Sequence, residues 1–379
     1  MVRSHESVII IGGGIAGLAC ARRLHDRGHS FRLISENLGG RIRMSADDAI
    51  NLGAYYVTRD YNHVNAFVDR GRRIKRRPLL RGDENGSFSR SDWQLLVHLP
   101  QALRFNRLIR QFHRHYETFK RDSLNVSQAH AIRADPLLWK LYNEPAPSFI
   151  RRNRIDDLAR SYLSPYAQGT AFAPLERLSA FTMLVGVLPT IVPIFEYTVR
   201  FDALTAGFGR SLLFDSDSQL TPSADHYLIR TRSGGSFTAD SVVVATPTNV
   251  SAQWLDLGTL KRPIEAHMFV VSGRLRRPWS RATYSLFPEE DDTFAIAQQI
   301  GGRVLLVSAV ELPDFSRFFD SWEVVEHHYW NPAFHIDGNA LLECEQGPGL
   351  YLIGDHNVCT LEDSYITGIH AANRILADA

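Results

Sequence analysis

The sequence predicts an α/β fold in which a parallel-stranded domain is interleaved with a second domain of helices and mixed sheet. Three observations predict it. The apolar run Val8-Ile9-Ile10-Ile11 reads as a buried parallel strand and enters Gly12-Gly13-Gly14-Ile15-Ala16-Gly17 directly before a helical pattern. Far downstream, a Ser233-Gly234-Gly235 hairpin turn leads into a second buried strand, Asp240 to Ala245, which ends in Thr246-Pro247. Near the C-terminus, Leu350 to Ile353 forms a short apolar strand, closed by Gly354-Asp355 and followed by a helix. The 379 residues suffice for two sizeable cores; 44% hydrophobic and 22% charged residues are ordinary for a globular chain.

The N-terminal elements follow in order. Leu18, Ala21, Arg22, Leu24 and His25 fall at helical spacing, Gly28 stops the helix, and Phe31 to Ile34 is a second strand. Gly12 allows the tight turn, Gly14 lets a pyrophosphate approach the backbone, and Gly17 lets helix and strand pack closely. Unpaired N–H groups at Ile15 and Ala16 and the positive helix end complete an anion cradle. An acid at the end of the second strand would hold a ribose. The usual spacing lands on Ser35, and Glu36 serves if the strand end shifts by one residue. Asn37-Leu38-Gly39-Gly40-Arg41 follows, with glycines for a further close approach and an arginine fork for phosphate.

Gly12 to Gly17 together with Gly39-Gly40-Arg41 resembles the flavin-containing amine oxidase superfamily, which includes monoamine and polyamine oxidases, protoporphyrinogen oxidase and carotenoid desaturases. The turn before the glycine pair is a few residues shorter here. The resemblance implies an FAD-binding Rossmann-like domain of the glutathione-reductase type, interleaved with a mixed-sheet and helical substrate domain. It implies residues 1–60, 207–250 and 336–379 for the cofactor domain, and 61–206 and 251–335 for the substrate domain. In Asn51-Leu52-Gly53-Ala54, Asn51 stands where an acid is usual, and Gly53 and Ala54 approach the flavin. Tyr55 and Tyr56 follow, and one of them is expected to face the active cavity. Gly354 and Asp355 carry over as cofactor ligands, Glu362 as the family's helix acid, and the helix N-terminus points at the ring. Thr360 and Asp363 form a capping box there. His356 or Asn357 could also touch flavin or substrate. Cys359 sits awkwardly for a thioether, so the FAD is expected to be non-covalent.

Between these motifs the resemblance weakens. Arg70 to Arg81 is rich in arginine and lysine; a solvated face is the plain reading, contact with a peripheral membrane or anionic partner the other. From Ser91 or Asp92 an amphipathic helix pair or one helix kinked at Pro100 is expected, with Leu95, Leu99, Leu103, Leu108, Phe112, Tyr116 and Phe119 as its apolar face. His113 and His115 do not share a face, and no metal site is expected. Val185 to Phe195 either lines a cavity or is core, and is too short to span a membrane. Phe315 to His328 reads as helix. The resembled oxidases often carry a lysine on the strand matching Ala266 to Val271; His267 stands closest, and Lys261 lies on the preceding loop. Trp330 and Tyr365 are candidate walls beside the ring.

The function so implied is FAD-dependent oxidation of a small organic substrate, an amine or amino-acid-derived metabolite, by hydride transfer to flavin N5. His267, Trp330, Tyr365 and Tyr56 are the candidate substrate-side residues, and O2 or another acceptor takes the electrons. A desaturase or dehydrogenase of a specialised metabolite is the alternative, followed by an NAD(P)H-dependent monooxygenase and a non-enzymatic flavin-binding protein. A net charge of +1 gives no bias towards nucleic acid, and three scattered cysteines give no disulfide framework. A short polar start at Met1 to Glu6 makes a cytoplasmic location without integral membrane segment the expectation.

Overall fold

The computed structural model describes residues 4–46, 50–54, 56–74, 79–81, 88–223, 225–298 and 302–378. Tyr55 and, within the basic run, Lys75 to Arg77 lie outside the described residues. The labelled elements are β1 (Ser4–Ile11), α1 (Ile15–Asp26), β2 (Arg32–Ser35), α2 (Ser91–Val97), α3 (Leu99–Asp122), β3 (Ser236–Val244), β4 (Arg262–Leu275), β5 (Phe319–Asp337), β6 (Leu350–Leu352) and α4 (Leu361–Asp378).

β1 lies between β2 and β3 and is parallel to both. β6 extends the sheet beyond β3 in parallel register, and Leu212–Phe214 extends it beyond β2. Three segments far apart in sequence therefore build one sheet, as their apolar runs predict. α1 and α4 pack against each other over it. Gly368 permits this: a Cβ there would stand 2.1 Å from the Ala16 carbonyl oxygen. Leu18, Ala19, Tyr365 and Ala372 fill the shared core.

A second sheet runs in the order β5, β4, Arg303–Ser308, Thr293–Gln298, Tyr284–Leu286, Leu79–Arg81, Phe88–Arg90. Ile264, Ala266, Met268 and Val270 on one face of β4 join the helical core; Phe269 and Val271 on the other face pack with Trp279 and Phe318. The helices between residues 91 and 187 cover the first of these faces. A small sheet of Val57–Thr58, Ile194–Val199 and Val68–Arg73 joins the two regions.

The expected helix from Phe315 to His328 is corrected by the structure. Only Phe315–Arg317 turns helically, and β5 is one strand paired along β4 from Leu275 to Arg262. Val324, Val325, Tyr329 and Trp330 suit a strand, and the backbone partners offered by β4 override the weak helical pattern. The helix pair is found, with its break at His98. Its apolar face differs from expectation: Phe105, Ile109, Phe112, Tyr116 and Phe119 are buried, whereas Leu99 and Leu103 face solvent.

Candidate active site

The glycine turn has the form its sequence requires. Gly12 has φ +112°, and a Cβ there would stand 2.8 Å from the Ala245 carbonyl oxygen. A Cβ at Gly17 would stand 2.0 Å from the Gly12 carbonyl oxygen. Gly14, by contrast, has no heavy atom within 4 Å of that position. No side chain caps α1, and its first turn carries no acid. The helix end is thus an anion site with room for a phosphate. The following segment closes on it, since Gly39 N–H donates to the Gly13 carbonyl at 2.8 Å. This cradle fits a dinucleotide.

Ser35 and Glu36 have separate places. Ser35 Oγ accepts from Gly13 N–H at 2.8 Å and donates to the Asn37 carbonyl at 2.6 Å, so it braces the loop. Glu36 is exposed and lies 3.6 Å from Arg232. Arg41 and Asp355, singled out separately, form one forked pair at 2.7 and 2.5 Å; Arg41 also donates to the Ala333 carbonyl at 3.1 Å. Burial opposes ionisation of Asp355, but the guanidinium prevails and holds the carboxyl down to about 2. Gly53 packs on Arg41: a Cβ would stand 1.7 Å from its carbonyl oxygen, which also accepts from Ala54 N–H at 3.3 Å. Gly354 has φ +134° and open space at its Cβ position. Glu362, wholly buried, accepts from the backbone N–H groups of Asn62, His63 and Val64 at 2.7 to 3.0 Å, so its carboxylate holds that turn.

A cavity opens between the two regions, with about 880 Å³ of empty space, its open mouth included. Gly53, Ala54, Cys359, Thr360 and Leu361 form the wall contributed by cofactor motifs. Phe172, Val185, Leu188, Val192 and Phe334 supply an apolar wall, so Val185 to Phe195 does reach the cavity. Tyr56 lines it, with burial pushing its hydroxyl pKa up. Trp330 does not: its indole N–H donates to the Leu52 carbonyl behind Gly53. Tyr365 stacks with Phe67 and His63, ring centroids 6.0 and 6.4 Å away, in the core beneath α1. His267 stacks on Tyr329 at 4.5 Å, with Nδ1 3.0 Å from His327 Nε2. It therefore stands on the face of β4 away from the cavity.

Sequence spacing missed a polar wall of this cavity. His113 Nε2 lies 3.1 Å from Asp60 and 3.5 Å from Glu117, and Lys120 lies 2.5 Å from Glu117. Three of these residues could ligate a cation. The Lys120 ammonium already occupies the cationic place beside Glu117, and the cluster reads as an ion-pair network. Only its i, i+4 and i, i+3 spacing on α3 was visible in sequence; Asp60 comes from elsewhere. Lys261 lies on the loop just before β4, as expected, but its burial was not foreseen. It is 6% exposed and donates to the Asn357 carbonyl at 2.9 Å, and burial pulls its pKa to about 8.

The capping box at α4 takes an altered form. Thr360 Oγ1 accepts from Asp363 N–H at 3.1 Å, while Asp363 Oδ2 accepts from Thr360 Oγ1 and from the Tyr116 hydroxyl. Burial raises the Asp363 carboxyl to about 6, Lys120 offsetting part of this and Glu362 adding to it. The folded protein therefore holds a proton that the unfolded chain releases near the ordinary carboxyl value of 3.8. Stability from this group is complete below that value, falls as pH rises towards 6, and stays reduced above. Asp363→Asn is expected to remove this fall, improving stability at pH 8 relative to pH 4 by about 1–3 kcal/mol against the parent. Urea unfolding of both proteins at the two pH values measures it; equal differences would refute the assignment.

A parallel sheet with a glycine turn that leaves room for an anion, extended by a distant C-terminal strand and helix, defines an α/β protein with a Rossmann-like sheet. More narrowly, its fold is similar to that of solved amine oxidases. The family described as NAD(P)-binding Rossmann-like domain matches residues 10–70. Among solved structures, a putrescine oxidase variant is similar over 100% of both chains, at 13% identity and TM-score 0.73. Wild-type putrescine oxidase bound to putrescine is similar over 99% of this chain and 100% of its own, at 13% identity and TM-score 0.69. Cyclohexylamine oxidase from Brevibacterium oxydans IH-35A is similar over 98% of both chains, at 15% identity and TM-score 0.66. No curated protein matches the sequence.

Proposed function

We propose that the protein is an FAD-dependent oxidoreductase, holding FAD non-covalently and oxidising a small amine or amino-acid-derived metabolite. The observation that carries this reading is the cavity whose wall joins Gly53 and Ala54 to the first turn of α4, with an apolar wall from the helical region. Cofactor motifs and substrate space thus meet at one place. The similarity in fold to putrescine oxidase and cyclohexylamine oxidase supports the amine class. We assign residues 1–60, 207–250 and 336–379 to the cofactor domain and the remainder to the substrate domain.

The α1 N-terminus and Gly14 would receive the pyrophosphate. The α4 N-terminus would favour negative charge at the ring. When bound, the flavin supplies a two-electron acceptor for the hydride leaving a substrate C–H bond. Phe172, Val185 and Phe334 keep water from the reacting carbon, and Tyr56 offers a hydroxyl at the wall. O2 or another acceptor, and not NAD(P)H, would be the co-substrate of such a reaction.

The purified protein is expected to be yellow and to release FAD on acid treatment. Under anaerobic conditions one member of an amine panel should bleach the flavin in a single turnover, and an acceptor should restore the colour. Flavin retained on the denatured chain would refute non-covalent binding. Turnover that requires NAD(P)H and inserts oxygen would refute the hydride reading.

A further inference from the structure

The corner between α2 and α3 has a surface that the cofactor chemistry does not use. Five of the twelve large apolar side chains exposed among the described residues fall within it: Trp93, Leu96, Val97, Leu99 and Leu103, each 49% to 63% exposed. α3 turns Phe105, Ile109, Phe112, Tyr116 and Phe119 into the core. On the opposite face, at helical spacing, stand Leu99, Leu103, Arg107, Arg110 and Arg114, all exposed. The outward stripe is therefore apolar over its first turns and basic beyond them.

Charge is one-sided there. From Trp93 to Tyr116 the sequence carries four arginines and no aspartate or glutamate. Arg104 is engaged by the Asn153 and Arg154 carbonyls at 3.0 and 2.7 Å, and Arg110 reaches Asn106 Oδ1 at 3.0 Å. Among the described residues, Arg107 and Arg114 enter no ion pair. Asp157 does touch α3, through Gln101 Nε2 at 2.9 Å, but Gln101 stands off the stripe. A helix face kept only for water gains nothing from a tryptophan and four aliphatic side chains at one corner. An apolar tip beside unneutralised guanidinium groups complements an acyl layer beside phosphates.

We propose that the α2–α3 corner docks the protein on an anionic phospholipid surface, with Trp93, Leu96, Val97, Leu99 and Leu103 entering the headgroup boundary and Arg107, Arg110 and Arg114 meeting lipid phosphates. The contact is peripheral, since no helix of the described residues is long and apolar enough to cross a membrane. An acidic protein surface would match the arginines but leaves the apolar corner in water.

Co-sedimentation of the full-length protein tests this, using phosphatidylcholine vesicles and vesicles with about one third phosphatidylserine. Binding to the second kind and little to the first is expected. Arg107→Gln with Arg110→Gln should weaken it roughly tenfold to thirtyfold, at about 1 kcal/mol for each arginine near the surface. Leu96→Ser with Leu103→Ser should weaken it independently. All four side chains are exposed, so thermal unfolding should match the parent. Absence of binding to phosphatidylserine vesicles, equal binding to both kinds, or parental binding by both double variants overturns the proposal.

Discussion

Arg41→Ala is expected to destabilise the protein by about 3–5 kcal/mol, because it strands a buried carboxylate whose partner it removes. Asp355 has a side chain only 13% exposed, and the fork to Arg41 is what keeps it ionised. Without the fork its carboxyl should titrate upwards, so the variant should lose less against the parent in acid than at neutral pH. Asp355→Asn should be milder than Arg41→Ala, since arginine is 30% exposed and keeps the Ala333 carbonyl. The double variant should cost less than the sum of the two single changes. Arg41→Ala should also weaken FAD binding, whereas Arg281→Ala, at an exposed position, should not. Urea unfolding and FAD titration measure these effects. A parental urea midpoint for Arg41→Ala would show that the pair does not form in solution.

Gly17→Ala and Gly14→Ala should separate folding from cofactor binding within one turn. The new methyl at position 17 would meet the Gly12 carbonyl and lie 3.3 Å from the Ala245 side chain. Backbone blocks it, so α1 must move off the sheet, at a cost of about 1–3 kcal/mol for overpacking and more if the turn opens. At position 14 the methyl enters open space, and φ is −69°. Folding should change by no more than about 1 kcal/mol, the ordinary effect at a helix cap. The methyl would nevertheless occupy the room left for phosphate. Thermal unfolding without flavin should thus single out Gly17→Ala, and FAD affinity should fall in both. Parental FAD affinity in Gly14→Ala would move the phosphate elsewhere.

The sheet of the cofactor region was legible because its signals are local. Val8 to Ile11, Asp240 to Ala245 and Leu350 to Ile353 are apolar runs ending in turns, and such runs find each other as parallel strands. Gly12 and Gly17 were readable for the same reason, since each marks a tight turn or a close packing contact within one local motif. β5 was not, because pairing with β4 decides its form and its own residues bury little. Side-chain direction was also hidden. His267 and Met268 differ by one residue and point to opposite faces of β4, so an offset of one or two residues decides whether a side chain can reach the cavity. Arg41 and Asp355 were each visible as motif residues, but nothing in a linear sequence couples positions so far apart. The ion-pair network of Asp60, His113, Glu117 and Lys120 was hidden likewise. Leu99 and Leu103 continue the apolar spacing of α3 but lie beyond the reach of its core.

The packing of α4 on α1 has a consequence for synthesis. α1 is made early, while α4, which covers its apolar side, begins only at Leu361. At bacterial-like speeds of roughly 5–20 residues per second, the interval is on the order of half a minute. During that time Leu18, Ala19 and the neighbouring apolar side chains of α1 lack their final cover, and β3 lacks β6 as its neighbour. The nascent chain therefore exposes apolar surface of α1 until α4 has been made.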